Sequence, residues 1–272
     1  MPQPTPERLP WVENFHRDGF ALMPGVFAEA ELLDLAEHLF HLRQPTAQEL
    51  AKYDVEGYDL HGHQSLADFE PRQLARASRM MRLHLFDARS RAMLLDPRLF
   101  NLVRALWPAE PLAVHSLYFP KPPGGRGLAL HTDLAYLPVD PPDIVGCFVA
   151  IDAMDAENGT LQVVPGSHRV AEFARKPAAP DASIVPEEFV RPDGAEVVTV
   201  PMQPGDVLLF HAAVLHGSMP NRSQTRWRRA ITHHYVSGAV RTVSPHLNPA
   251  YRSTGEEIPA PGHESVKFTG IW

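Results

Sequence analysis

The segment His131-Thr132-Asp133 holds the residue types and spacing best suited to chemistry. In an extended chain, residues i and i+2 project to the same side. One imidazole and one carboxylate therefore point together and offer two legs of a metal site. A third leg has to come from elsewhere, and stretch 205–218 supplies the candidate: a turn, an apolar run, then His216 followed by Gly217 and Ser218. Two histidines and one carboxylate are the facial set that holds Fe(II) in non-haem oxygenases, and they leave adjacent coordination positions open. Shortly after His216, stretch 226–232 reads Arg-Trp-Arg-Arg-Ala-Ile-Thr. An arginine on such a strand can grip a carboxylate through paired hydrogen bonds. That is what a 2-oxo dicarboxylic acid needs at its far end.

The elements that have to position these residues change character along the chain. The first third reads helical. Stretch 28–43 places Leu32, Leu33, Ala36, Leu39 and Phe40 at helical spacing, and Asp96-Pro97 is a helix start followed by Leu99, Phe100, Val103, Leu106 and Trp107. Between them, 44–70 is polar, carries Tyr53, Tyr58, His61 and His63, and reads as a long loop or lid. From about residue 111 short apolar runs alternate with turn residues, and 112–119, 144–151, 160–164, 196–200, 207–211 and 229–236 read as strands. Asn158-Gly159 is a turn signal, and 177–193 reads as a surface insertion. Short strands without regular helices between them predict an antiparallel sandwich or jelly roll.

Three motifs in order carry a resemblance. His131-Thr132-Asp133-Leu134-Ala135-Tyr136, the run Glu157 to His168 (ENGTLQVVPGSH), and His216-Gly217-Ser218 with Arg228-Arg229-Ala230 resemble the phytanoyl-CoA dioxygenase family of Fe(II)- and 2-oxoglutarate-dependent oxygenases. The opening FHRDGFALMPG at 15–25 fits as well, and the resemblance spans roughly 10–236. It implies a fold that is mainly β with flanking helices, built on a double-stranded β-helix (jelly-roll, cupin-like) core. It implies one domain over 1–272: a helical part to about 110, the jelly roll over about 111–240, and a wrapping tail over about 241–272. It assigns His131, Asp133 and His216 to iron. Arg228 matches the arginine that pairs with the distal carboxylate of 2-oxoglutarate, with Arg229 open until strand register decides. Ser218 matches a residue assisting that carboxylate, Phe148 stands where a tryptophan often lines the cosubstrate pocket, and Lys121, Leu117 and Tyr118 lie on the strand bordering it. The implied reaction consumes 2-oxoglutarate and O2, releases succinate and CO2, and hydroxylates an unactivated C–H of a small molecule. Halogenating relatives replace the carboxylate with a small residue, so Asp133 favours hydroxylation. The alternative is a non-catalytic or 2-oxoglutarate-independent metal-binding jelly roll.

Other residues carry weaker readings. Tyr136 and Arg126 are candidates for substrate contact, Arg126 for an acidic substrate or else as a solvated loop charge. His115 stays open between the barrel mouth and a structural role. His211, the rival to His216, and His168 read as structural. One of His233 and His234 is expected to face outward, neither as a ligand. Arg79 and Arg82 read as surface charges, and Cys147 as a buried inert thiol. The 272 residues contain 25 Lys+Arg and 32 Asp+Glu, a formal net charge of −7, which argues against a general nucleic-acid binder. A single cysteine excludes an intramolecular disulfide and a Cys-based metal site. No apolar run approaches about 18 residues and the N-terminus does not read as a secretory signal, so no membrane span and a cytoplasmic location are expected. No obligate protein partner is evident.

Overall fold

The computed structural model describes residues 9–43, 65–70 and 79–265. Most of the expected 44–70 loop, including Tyr53, Tyr58, His61 and His63, lies outside the described residues. Helix α1 (Pro10–Asp18) begins on a proline, where the missing N–H has no intrahelical partner to lose, and ends at Gly19 with φ 84°. Helix α2 (Glu29–His41) buries Leu32, Leu35, Ala36 and Leu39, whereas Leu33, expected on that stripe, is exposed. After α3 (Ala88–Leu94), the Asp96 carboxylate accepts from the Arg98 N–H and starts α4 (Pro97–Arg104), which buries Leu99, Phe100 and Val103.

The strands follow in chain order. They are β1 (Phe20–Met23), β2 (Met80–Met81), β3 (Leu112–Lys121), β4 (Leu128–His131), β5 (Val139–Asp140), β6 (Ile144–Ala150), β7 (Leu161–Val163) and β8 (Arg175–Pro177). Then come β9 (Glu187–Phe189), β10 (Val198–Thr199), β11 (Val207–His211), β12 (His216–Ser218), β13 (Arg228–Val236), β14 (Thr242–Val243), β15 (Ala250–Tyr251) and β16 (Glu257–Ile258). A major sheet runs β1-β11-β6-β13-β3-β15-β16, with β2 also on β3, and a minor sheet runs β10-β7-β12-β4. Together they form the double-stranded β-helix that the family resemblance implies.

Both faces of the major sheet are covered, which is why its strands read as nearly continuous apolar runs. On the outer face Cys147, Tyr118, Ile231 and Tyr235 share one core with Leu94, Leu99 and Phe100 of the helices. The Tyr235 ring meets Phe100 edge-on and its hydroxyl donates to the Leu94 carbonyl at 2.7 Å. On the inner face Phe148, Leu208, Phe210 and Ala230 pack with Leu161 and Val163 of the minor sheet. The 177–193 insertion is more than a surface loop. Strands β8 and β9 pair as a hairpin, Phe189 is buried, and the Ala129 N–H on β4 donates to Ser183 Oγ at 3.0 Å. The tail adds β15 and β16 to the major sheet, Tyr251 pairing with Ala113. Among the described residues, no helix is long and apolar enough to cross a membrane.

Candidate metal centre and the cavity around it

The register of β13 against β3 decides what faces the interior. Arg228 pairs with Lys121, Ala230 with Phe119, Thr232 with Leu117 and His234 with His115. Side chains alternate between faces, so these four rungs project to one side, and all but Ala230 contribute to the lining of one cavity between the sheets. Arg229, one residue out of step, points the other way and pairs with Asp152 at 2.7 Å. Arg228 is therefore the arginine inside. Tyr118 likewise falls on the outer face, against the helices, and does not border the cavity.

His131, Asp133 and His216 come together at one end of this cavity. Strands β4 and β12 place His131 and His216 directly opposite each other, and their ring centroids are 4.4 Å apart. Thr132 stays extended (φ −118°, ψ 137°) before the chain turns into a short 3-10 helix at Asp133, so the carboxylate returns to the side of His131. Asp133 Oδ1 lies 3.4 Å from His131 Nε2 and 3.7 Å from His216 Nε2. One ligand atom from each of the three residues lies within 4.8 Å of the others, and no other such group of three or more occurs among the described residues. His131 Nδ1 donates to the Ala129 carbonyl at 2.9 Å and His216 Nδ1 to the Val214 carbonyl at 3.0 Å. A carbonyl only accepts, so both bonds leave the Nε2 lone pair free for a cation. Burial pushes the His216 imidazole down to about 4, which keeps it neutral and ligating near neutral pH. Burial would raise the Asp133 carboxyl, but the histidines around it, with the hydrogen bond donated by His234 Nε2, outweigh that and hold the group well below the usual carboxylate range.

His234 is the residue that sequence reasoning missed. Its Nε2 donates to Asp133 Oδ2 at 2.8 Å, which leaves Oδ1 to face the two ligating nitrogens. His233 is the one of the pair that faces outward, as expected, but that face is itself covered: His233 is 1% exposed, and burial pushes it down to about 3. Counting in steps of two from Arg228 would have found His234. His115 lines the cavity beside it, with ring centroids 5.5 Å apart.

At another part of the cavity Arg228 is 3% exposed, lies 5.9 Å from the Phe148 ring centroid, and leaves Nε and Nη1 without a hydrogen-bond partner. Burial pushes this guanidinium down to about 10. Lys121 Nζ donates to Ser218 Oγ at 2.8 Å, to the Met219 carbonyl at 2.7 Å and to the Gly159 carbonyl at 3.1 Å, using all three ammonium donors. Burial, then the neighbouring Arg228, push Lys121 well below its ordinary value. Both effects favour an arriving anion. Leu117, Phe148 and Ser218 line this region, and Arg126 lines the same cavity. Tyr136 stands beside His131, ring centroids 6.1 Å apart, and is not part of the lining. Arg79 and Arg82 are not the surface charges expected: Arg79 lines the cavity, and Arg82 is buried and donates to the Asn248 carbonyl. His211 accepts from the Ala213 N–H and stacks near His168, away from the three-residue cluster, and burial raises the Cys147 thiol.

Comparison with known proteins agrees with this geometry. The phytanoyl-CoA dioxygenase family profile matches residues 15–230. The chain is 28% identical over 259 residues to the phytanoyl-CoA dioxygenase domain-containing protein 1 homolog of Caenorhabditis elegans, covering 82% of this chain and 89% of that one. It is 32% identical over 169 residues to the mouse phytanoyl-CoA dioxygenase domain-containing protein 1, covering 60% of this chain and 58% of that protein. Among solved structures it is similar to the non-heme monooxygenase ThoJ (TM-score 0.63, 23% identity, 93% and 85% coverage). It is also similar to the alpha ketoglutarate dependent epimerase SnoN from nogalamycin biosynthesis (TM-score 0.60, 20% identity, 85% and 82% coverage). At these identities the structural likenesses carry the fold.

Proposed function

The chain belongs to the phytanoyl-CoA dioxygenase family, and from that premise we propose that it is an Fe(II)- and 2-oxoglutarate-dependent dioxygenase that hydroxylates an unactivated C–H of a small molecule. The single observation that carries this reading is one cavity with two unlike ends. At one end two imidazole Nε2 atoms and one carboxylate oxygen converge; at the other a buried arginine has unpartnered donors. The donor set fits a divalent iron with open positions. The orphaned Nε and Nη1 of Arg228 fit a carboxylate fork. A fold neighbour, SnoN, was solved with Fe3+, alpha ketoglutarate and nogalamycin RO, which supports the same pairing here.

In this reading His131, Asp133 and His216 hold the iron. Arg228 binds the distal carboxylate of 2-oxoglutarate, Ser218, whose oxygen is held by Lys121 Nζ, adds its hydroxyl as a further donor, and Phe148 with Leu117 shields the cosubstrate from water. His234 fixes which oxygen of Asp133 faces the metal. The bound iron and cosubstrate supply the oxidising chemistry; the protein orients and shields the reactants. Overall, R–H, 2-oxoglutarate and O2 become R–OH, succinate and CO2, with one oxygen atom of O2 in each of the first two products. The carboxylate at Asp133 occupies the position that a halide would need, which favours hydroxylation.

The test is anaerobic titration of the metal-free protein with Fe(II) and then 2-oxoglutarate, following the visible charge-transfer band of the chelate. The band is expected in the wild type, absent in His131→Ala, and shifted to much higher 2-oxoglutarate concentration in Arg228→Met. Iron binding without the band would refute the cosubstrate. No iron binding would refute the enzyme.

A further inference from the structure

We propose that the cavity takes an organic acid, a substrate with an apolar body and an anionic head group held by Arg126. This rests on the oxygenase reading above and names the substrate class for that same site.

Four kinds of observation carry it. The first is charge. Asp133 is the sole carboxylate lining the cavity among the described residues, and its two oxygens are engaged with His131, His216 and His234. Arg228 is matched by the distal carboxylate of the cosubstrate, and Lys121 has its three donors on Ser218, Met219 and Gly159. Arg126 is left over.

The second is how Arg126 is held. Nη1 makes two long contacts, 3.3 Å to the Pro180 carbonyl and 3.4 Å to the Ser183 carbonyl, and Nε is buried with no partner at all. Arg226 behaves differently: it pairs with Asp155 at 3.0 Å and with Glu157 at 2.6 Å. A partly desolvated guanidinium without a counter-ion is costly, and an incoming carboxylate matches its fork through two parallel bonds.

The third is order. The loop 124–127 is pinned on both sides, so Arg126 is not a solvated charge on a free loop. Gly124 N–H donates to Asn221 O at 3.0 Å, Asn221 N–H to Gly125 O at 2.8 Å, Gly127 N–H to Ala182 O at 2.7 Å, and Ile184 N–H to Gly127 O at 3.0 Å. A side chain on Gly127 would overlap the Ser218 carbonyl, so the loop lies flat on the end of β12.

The fourth is the surface between the two ends. Arg126 precedes His131 by five residues, in the loop that leads into β4, so at most about 18 Å of extended chain separates them. Leu117, Leu128, Leu137 and Ile184 line the cavity that it borders. A head group on Arg126 therefore lies within that reach of the metal ligands, with an apolar body filling the interval. Arg79 lines the same cavity and adds a second cation.

The test measures binding to the Fe(II)- and 2-oxoglutarate-loaded protein under anaerobic conditions, by calorimetry and by melting temperature. The probes are octanoate, 3-phenylpropionate and the amide of each. The acids are expected to bind, the amides to bind at least tenfold more weakly, and Arg126→Gln to remove that preference. Arg126→Lys keeps the charge without the fork and is expected to fall between. Amides binding as well as acids, acids binding undiminished to Arg126→Gln, or no acid binding at millimolar concentration each overturns the proposal. So does a loss of 2-oxoglutarate affinity in Arg126→Gln, which would give Arg126 to the cosubstrate. The two readings fail separately: absence of 2-oxoglutarate binding in the wild type sinks the oxygenase, while normal 2-oxoglutarate binding without acid preference sinks only the subsite.

Discussion

Replacing His234 by leucine removes the donor on Asp133 Oδ2 and leaves an apolar side chain of comparable bulk in a buried place. The bond spans 2.8 Å between buried partners. A hydrogen bond to a charged group contributes about 1.5–3 kcal/mol. At about 1.4 kcal/mol per tenfold, metal affinity should fall about 10- to 100-fold, which is also the usual range for a residue one step behind a metal ligand. Glutamine is the informative second variant, because its side-chain nitrogen reaches about as far as imidazole Nε2 and can still donate to Oδ2. The assay is competition for Fe(II) against a chromophoric chelator under anaerobic conditions, with melting temperature measured alongside to show that each variant folds. His234→Leu should lose affinity, and His234→Gln should recover most of it. Wild-type affinity in His234→Leu, or equal losses in folded Leu and Gln variants, would refute the argument that this donor orients Asp133.

The remaining predictions use other parts of the site. Arg228→Met should weaken 2-oxoglutarate about 30-fold or more, since truncating one partner of a buried charge pair costs about 2–5 kcal/mol. Arg229→Met should leave 2-oxoglutarate affinity unchanged, because that side chain serves Asp152 on the other face; calorimetry separates the two. Gly146 lies beneath the Phe210 ring, and an added Cβ would overlap it. Gly146→Ala should push that ring toward His216, whose centroid is 4.6 Å away, costing about 1–3 kcal/mol of stability and weakening iron, as read by urea unfolding and metal titration. The metal-free protein should lose stability on mild acidification. Burial lowers His233 to about 3 and His211 to about 4, so the unfolded chain takes up protons first as the pH falls below about 6.5. Stability is complete above that value and is lost as the pH falls toward 4. His233→Leu should flatten the dependence of the urea midpoint on pH between 7.5 and 5, and an unchanged slope would show that His233 is not a source of it.

What the sequence made legible follows from periodicity. The His-x-Asp spacing depends only on an extended Thr132, and the strand expected at 207–211 matches the observed one because its four apolar residues end in a turn on each side. The choice between Arg228 and Arg229 needed the partner strand, since a register slip of one residue exchanges the faces. The alternation of His233 and His234 was legible, but the role of His234 was not, because its partner Asp133 follows a strand of the other sheet, about 100 positions away in sequence. Arg82 was misread for a similar reason: its burial depends on the tail returning to Asn248, a contact more than 160 positions away in sequence. The hairpin of β8 and β9, which overlaps the 177–193 insertion, has only three residues per strand, too short a stretch for alternation to show.

The distribution of the site over two sheets explains why its geometry depends on packing far from the ligands. The minor sheet supplies His131 and His216 as a cross-strand pair, whereas the major sheet supplies His234 and Arg228 from one face of β13. Asp133 belongs to the turn leaving β4, yet the donor on its Oδ2 comes from β13, so it is tied to both layers. Its orientation is therefore set by the distance between the sheets, and that distance is set by the side chains packed between them. Phe210 is a spacer beside the site: it rests on Gly146, and its ring lies 4.6 Å from His216 and 6.3 Å from His234. A close-packed interior transmits small displacements rather than absorbing them. A change of one methyl group beneath that ring should thus reach the metal ligands, the more so because Gly146 pairs in the sheet with His234, the donor to Asp133.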